Sequence, residues 1–379
     1  MTQTTRDVQS GAGNSPAQSA LAVSRGAPSR VEYRTEVCRD AVLAASLPRW
    51  HGYVASKGQT SASRSAAWLA VLSQGLRHRP YCIEAQEGQR TVGLLPLAYV
   101  KGLLFGRFLV GLPYLNVGGV MADSPDIARA IIDRAVALAD QLDVRHLELR
   151  HEQPVEHPAL AHTLTTKVHM RLALPASADV LWKGFNAKVR NQVRKAEKLG
   201  LTVHWGALEL LSAFYDVFAR NMRDLGTPVY GRSLFAAILR QFPGDAEFCV
   251  VRCEGRAVAA GLLLHGPGTS EVPSASSLRS HNSTNANMLL YWHMLQRAVA
   301  RGQGVFDFGR SSPDSGTYDF KKQWGAGPHG AAWQFYVRRG DVRDMRLESG
   351  KYGRLVRLWQ RLPVCVTRWI GPFIVRGIP

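Results

Sequence analysis

The sequence predicts a mixed α/β protein built from two tandem copies of one strand, helix, strand unit. Length is the first observation: 379 residues exceed what one ordinary core needs, and at about 150 residues per domain the chain divides into two. Composition is the second, because 46% hydrophobic and 20% charged residues are the proportions of a folded chain and exclude a largely disordered one. The third is an internal echo. Gly93-Leu94-Leu95 lines up with Gly261-Leu262-Leu263, and Leu147-Glu148-Leu149 with Phe306-Asp307-Phe308, at similar intervals whose difference loops absorb. The same order also recurs in α/β proteins without common descent, so this pattern alone leaves duplication and coincidence both open.

Taken in order, the first thirty residues hold Arg6, Asp7, Arg25 and Arg30 among Gly, Ala, Ser, Gln and Pro, without the apolar run of a signal peptide. They read as a disordered tail on a cytoplasmic protein. VGLLPLAYV from Val92 to Val100 reads as a strand, and PYLNVGGVM from Pro113 is turn-rich. The uncharged stretch Phe108 to Ala122 is too short to span a bilayer and is broken by glycines and Pro113. A helix follows with Ser124 at the N-cap, Pro125 at the first helical position and Ile131, Ala135 and Leu138 in phase, ending near Asp143. HLELR from His146 is the next strand.

From Leu181 to Leu199 the apolar residues Leu181, Trp182, Phe185, Val189, Val193, Ala196 and Leu199 share one side of a helix, with Gly200 as its stop. The other side carries Lys183, Lys188, Arg190, Arg194, Lys195 and Lys198 against a single acid, Glu197. Like charges four apart repel by a few tenths of a kcal/mol, about 0.2 to 0.5 each. Such a stripe points to phosphate binding, against the plainer reading of a solvated face. FCVVRC, ending at Cys253, reads as a strand with Cys249 and Cys253 on one face of the core. The five cysteines, Cys38, Cys82, Cys249, Cys253 and Cys365, are odd in number and scattered, with neither a disulfide framework nor a zinc spacing. The second copy of the unit runs as the strand AVAAGLLLH from Ala257, a Ser/Pro/Asn stretch from Pro273 to Asn287, a helix from Met288 and the strand VFDFG from Val305.

The chemistry concentrates in FDFGRSSPDSGTYDFKKQWG, from Phe306 to Gly325. A buried strand delivers Asp307 to a Ser/Pro/Gly loop, with Phe320, Lys321, Lys322 and Trp324 beyond it, a layout that suits a site at strand ends. Asp307 reads equally as a proton acceptor and as a structural acid, which Arg310 neutralises. The DFG triplet is not a kinase signature, since no glycine-rich phosphate loop or HRD segment accompanies it. His265, His281 and His293 show no metal-ligand spacing and read as packing or surface residues.

Together, KVRNQVRKAEKLGL, NANMLLYWHMLQRAVARGQGVFDFGR and FKKQWG resemble the FemAB-related branch of the GNAT acyltransferase superfamily, and within it the group encoded beside exopolysaccharide and PEP-CTERM protein-sorting genes. The resemblance extends from Val31 to Val337 and is densest from Lys188 to Gly325. It implies tandem GNAT-like domains, FemAB-like, at 31–170 and 171–337, between a tail at 1–30 and a basic amphipathic tail at 338–379. It implies transfer of an acyl or aminoacyl group to an amine of a cell-envelope or exopolysaccharide precursor, a phosphorylated sugar or a lipid-linked one. Carried over by position, it assigns phosphate contact to Arg190 in KVRN, with Lys188 and Arg194 on the same helix, and donor-end chemistry to Lys321 in FKKQWG, with Phe320 and Trp324 beside it. Tyr230, after Gly226-Thr227-Pro228, lies in a loop the family uses near its cleft.

Two departures bear on the donor. CoA-using GNAT enzymes hold pyrophosphate on a glycine-rich turn at a helix start; here the equivalent RSHNSTNANMLL from Arg279 has Asn285 and Asn287 instead. No helical hairpin arm intervenes between Gly200 and Asp245. The donor is therefore either aminoacyl-tRNA or acyl-CoA, with no further cofactor required.

The formal charge of +18 calls for an anionic partner. Much of it lies in the basic helix and in the tail from Arg338, where ten basic residues face Asp341, Asp344 and Glu348 and interleave with Tyr352, Leu355, Leu358, Trp359, Trp369, Ile370, Phe373 and Ile374. Such a tail either packs on the second domain or lies at the inner face of a membrane. Two other functions stand beside the transferase: a non-catalytic GNAT-like protein that holds a nucleotide-sugar or anionic polymer, and an RNA-binding protein, which accounts for the charge but not for the Asp307 to Gly325 segment.

Overall fold

The structure is a computed structural model that describes residues 30–38, 40–58, 61–102, 105–340 and 353–378. The reading of 1–29 as a disordered tail, and that of 341–352 within the basic tail, lie outside the described residues. The first half runs β1 (Val31–Val37), α1 (Asp40–Ala55), a 3-10 turn at Ala62–Arg64, α2 (Trp68–Leu76), β2 (Arg79–Glu87), β3 (Arg90–Gly102), β4 (Gly106–Val110), β5 (Met121–Ala122), α3 (Pro125–Gln141), β6 (His146–His151), β7 (His162–Leu164) and β8 (Val168–Ala173). The second runs α4 (Ala178–Gly184), α5 (Ala187–Lys198), β9 (Thr202–Gly206), α6 (Leu211–Leu225), α7 (Arg232–Gln241), β10 (Ala246–Cys253), β11 (Arg256–His265), β12 (Thr269–Ser277), α8 (Ala286–Ala300), β13 (Val305–Ser311), α9 (Gly316–Lys322), β14 (Gly327–His329) and β15 (Ala332–Val337), before α10 (Gly353–Arg361) and α11 (Val364–Val375).

The echo in the sequence is an echo in the sheets. One has the order β1-β2-β3-β4-β6-β15-β7, with β5 paired to β3; the other has β9-β10-β11-β12-β13-β8-β14. In each, antiparallel hairpins lead to a single parallel pair, β4 with β6 and β12 with β13, and the pairs match residue for residue: Val110 faces Glu148 as Glu271 faces Asp307. The connection between parallel strands is a helix, α3 or α8, as such a crossover requires. Ser124 opens α3 by accepting a hydrogen bond from the Ile127 amide (3.3 Å), as its sequence predicts.

Each half gives its last strand away. β7 and β14 stay in their own sheets, whereas β8 passes to the second sheet beside β13 and β15 passes to the first beside β6. The expected boundary at 170/171 thus falls inside β8, and the segment 171–337 does not close on itself. The physical reason is the open edge each parallel pair leaves, which the partner half covers.

The burial pattern produces alternating layers. Leu95, Leu97, Leu147 and Leu149 pack beneath α3 on the outer side of the first sheet, and Leu263, Phe306, Phe308, α5 and α8 form the outer core of the second. Between the sheets, α1, α2, α6 and α7 share one core with Cys82, Leu94, Val250 and Leu262. Strand periodicity then forces the alternate residues Glu148, Arg150, Glu271 and Asp307 to face the seam between the halves.

Two local expectations are corrected. The single basic helix is two, because Gly184 ends α4 and the extended Asn186 caps α5 by accepting from the Val189 amide (2.9 Å). The Ser/Pro/Asn stretch from Pro273 begins as strand: Leu262 pairs with Ser274 and Leu264 with Glu271, so Pro273 sits at a bulge where no ladder N–H is needed. The Cys249 and Cys253 strand is as expected, and all five cysteines are free.

Candidate functional site

The site is the fork where β12 and β13 part. They pair only from Thr269 to Glu271 and from Val305 to Asp307; beyond that β12 stays with β11 while β13 continues along β8 after a shift of register, with Arg310 opposite His169. Asp307 fixes the parting point. Its Oδ1 accepts the Gly309 amide (2.7 Å) and its Oδ2 accepts Arg171 Nε (2.9 Å), and Gly309 has φ +78°, which a glycine adopts without strain.

Arg171 also pairs with Glu152, whose other oxygen accepts Arg64 Nη2 (2.5 Å). Beside it, Ser63 donates its amide (2.7 Å) and hydroxyl (2.6 Å) to the two oxygens of buried Glu271. Burial, reinforced by Asp307, pushes the Glu271 carboxyl up to about 7. The 3-10 turn of the first half is therefore pinned to the fork of the second by two side chains.

Lys321 reaches the fork from α9, whose start is capped by Ser315 (3.3 Å to the Tyr318 amide). Its Nζ donates to the carbonyls of Gly309 and Arg310, 3.0 Å each. Burial, aided by Arg310 and opposed by Asp307, brings the ammonium down to about 8. An ammonium has three protons, and these carbonyls take two. His169 belongs to the same cluster: it is fully buried, burial lowers its pKa, and neither ring nitrogen bonds a protein group.

The remaining walls come from both halves. The Trp333 indole lies between two guanidinium groups, Arg150 at 3.9 Å and Arg310 at 3.4 Å from the ring centre. A Cβ added at Gly309 would stand 3.3 Å from the Asn116 amide nitrogen, which places that loop of the first half against the fork. Tyr230 packs edge-on to Tyr114 at 5.4 Å, and burial raises its phenol to about 12 against the pull of Arg150.

The structure thus gathers Lys321, Asp307 and Arg310 at the fork. Apart from Tyr230, it separates the others. Trp324 is fully buried in the outer core against Phe185 (5.2 Å), and Phe320 packs on Tyr291 (4.9 Å), so both position α9. Arg190 turns its Nη1 to the carbonyls of Phe185 (2.5 Å) and Lys183 (3.2 Å), closing the end of α4. Lys188 is exposed, and exposed Arg194 lies over Trp182. Asn287 stands in the first turn of α8, which has no side-chain cap and follows β12 through a 3-10 helix at Arg279–Thr284. Arg171 is an ion-pair partner of Asp307 (2.9 Å), and Arg310 lies over the Trp333 ring. Asn116, Arg150, His169, Arg171 and Trp333 were not legible as site residues, since each is brought to the fork by the meeting of the two halves, and Glu271 on β12 carried no motif. Among the described residues no cluster of His, Cys, Asp and Glu could hold a metal ion.

Residues 183–322 match the acetyltransferase (GNAT) domain family. Along most of its length the fold is similar to three solved structures. FemX shares 15% identity at a TM-score of 0.59, over 80% of this chain and 97% of that one. L-PGS from Bacillus licheniformis shares 14% at 0.52, over 86% and 99%. A tandem GNAT protein from the clavulanic acid biosynthesis pathway shares 14% at 0.51, over 82% and 100%. No curated protein sequence matches. The fold is thus that of two GNAT-like domains in tandem, and the stretch that matches the family lies in the second.

Proposed function

We propose that this protein is an N-acyltransferase of the FemAB-like kind, working at the β12/β13 fork on an amino group of a cell-envelope or exopolysaccharide precursor. The observation that carries the reading is Lys321: a buried ammonium at a strand fork, held by two carbonyls with one proton to spare. Attack of a neutral amine on an acyl carbonyl builds negative charge on the oxygen, and a preorganised donor in a water-poor site stabilises it. The Lys321 ammonium supplies that donor. His169, kept neutral by burial and unbonded at both nitrogens, takes the proton the amine releases. Asp307 acts through others, holding Gly309 and Arg171 in place.

The donor is an acyl-CoA or an aminoacyl-tRNA. The uncapped first turn of α8, with Asn287, presents backbone N–H groups to its phosphate. Lys188, Arg194 and the unbonded nitrogens of Arg190 offer further phosphate contacts along α5 and extend the reading to a phosphorylated or lipid-linked acceptor. FemX and L-PGS share the fold, and their presence among the similar structures supports this class of chemistry.

The test is transfer of label to amino-sugar acceptors, from radiolabelled acetyl-CoA in one arm and from tRNA charged with labelled amino acids in the other. The reading predicts an acid-stable N-linked product from one donor, lost in Lys321→Ala. Tight binding of a nucleotide-sugar or RNA with no product from either donor would replace it by a binding function.

A further inference from the structure

The C-terminal helix pair is the part of the molecule that the fork does not explain. α11 packs Thr367, Gly371 and Val375 inward, against α6 and the Val229 backbone. Its opposite face, one step around the helix at every third or fourth residue, is Val366, Trp369 and Phe373. Trp369 is 73% exposed and Phe373 63%. α10 turns Val356 and Gln360 onto the end of α6 at Gly226 and Asp224, which leaves Leu355 (60%) and Leu358 (59%) outward. Soluble surfaces do not keep a tryptophan, a phenylalanine and two leucines exposed within one short segment unless something covers them.

Charge identifies the cover. From Gly353 to Ile378 there are five arginines, Arg354, Arg357, Arg361, Arg368 and Arg376, and no acid. The first three run along one side of α10, exposed and without an acidic partner among the described residues. Arg368, one residue before Trp369, reaches back into a cavity of about 270 Å³ that it lines with Arg220 and Arg256, three guanidinium groups against the single carboxylate of Asp216. An apolar edge that includes an aromatic pair, bordered by arginines in excess of acids, is complementary to a surface that is apolar inside and anionic at its rim. A protein partner with an acidic rim would need an apolar counterpart of matching shape, whereas a lipid surface needs none.

We propose that α10 and α11 seat the protein on an anionic lipid surface. Trp369, Phe373, Leu355 and Leu358 enter the headgroup boundary, the arginines of α10 lie among the phosphates, and the cavity of Arg220, Arg256 and Arg368 takes one lipid phosphate. No helix among the described residues is long and apolar enough to cross a membrane, so the attachment is peripheral. It is independent of the acyl-transfer reading.

Sedimentation of the full chain with vesicles of phosphatidylcholine, with and without phosphatidylglycerol, tests this. Binding to the anionic vesicles alone is expected, weakening as salt screens the arginines. The double variant Trp369→Ser, Phe373→Ser should weaken it at least about tenfold, since each ring removed from the boundary forfeits its apolar burial. These side chains are exposed, so its circular dichroism and melting should match the wild type. Arg220→Gln with Arg256→Gln should weaken binding about fivefold per guanidinium, again without loss of fold. Equal binding of the double variant and the wild type would overturn the proposal, as would absence of binding to anionic vesicles. So would a wild-type dimer in light scattering that the double variant dissolves, which would make a second copy the cover.

Discussion

The two forks of this molecule start from the same pattern and end differently. At β4/β6 the strands part after Val110 and Glu148, and the chain itself fills the gap. The Gly111 amide bonds the Glu148 carbonyl (2.8 Å), the Gly118 amide bonds the Arg150 carbonyl (2.9 Å), and the two glycines pass so close that a Cβ on either would lie within 2.0 Å of the other's oxygen. Arg150 locks the plug, with Nε on Glu148 (2.6 Å) and Nη1 on the Leu115 carbonyl (2.6 Å). At β12/β13 the matching acid holds a turn instead, and Lys321 occupies the place of closure. One fork is thus closed by its own chain and the other is held open, and the plug of the first delivers Asn116 to the second.

Four experiments sharpen or break this contrast. The largest effect is expected in the closed fork. Arg150→Met strands buried Glu148 and the Leu115 carbonyl, and breaking such a pair costs about 3 to 5 kcal/mol, read as a lower denaturation midpoint. In the open fork, Lys321→Ala should leave the midpoint near wild type, because it removes a buried charge, while the rate of transfer falls about 10² to 10³-fold. A midpoint that falls as in Arg150→Met would make Lys321 structural.

Glu271 separates the two in pH. Its carboxyl is raised by burial from its ordinary value to about 7, so the folded state binds the extra proton. The sign is that its contribution is complete below the ordinary carboxylate range and is lost as pH rises to about 7, up to about 3 kcal/mol. Glu271→Gln keeps an acceptor for Ser63 and should flatten the stability profile of that window. The smallest effect belongs to Asn116→Ala, with an unchanged midpoint and kcat/KM lowered about tenfold if the plug shapes the second site. An unaltered kcat/KM would confine the plug to its own fork.

What the sequence shows of this design is local. The strands, the Ser124 cap and the tripeptide echo are legible because each is specified by neighbouring residues, and the echo led to the matched sheets. The break at Asn186 is hidden because apolar phase continues across it, with Leu181 and Phe185 still buried. The exchange of β8 and β15 is hidden because nothing in a strand's own residues names the sheet it joins. For the same reason Lys321 and Asp307 stood out in one segment, while Ser63, Asn116, Arg150, His169 and Arg171 meet them only through that exchange and the shared helix layer. The basic stripe of α5 was legible as charge, but Arg190 spends part of its guanidinium on the end of α4.

The central claim is that the protonated Lys321 at the second fork stabilises the charge formed in acyl transfer. Its direct test is kcat/KM against pH for the wild type and Lys321→Arg. With the ammonium brought down to about 8, the wild-type rate should fall above pH 8 as the proton is lost, and the arginine variant, charged throughout, should keep its rate beyond that point. A descending limb that stays in place in Lys321→Arg, or a rate that rises through pH 8 in the wild type, would contradict the account.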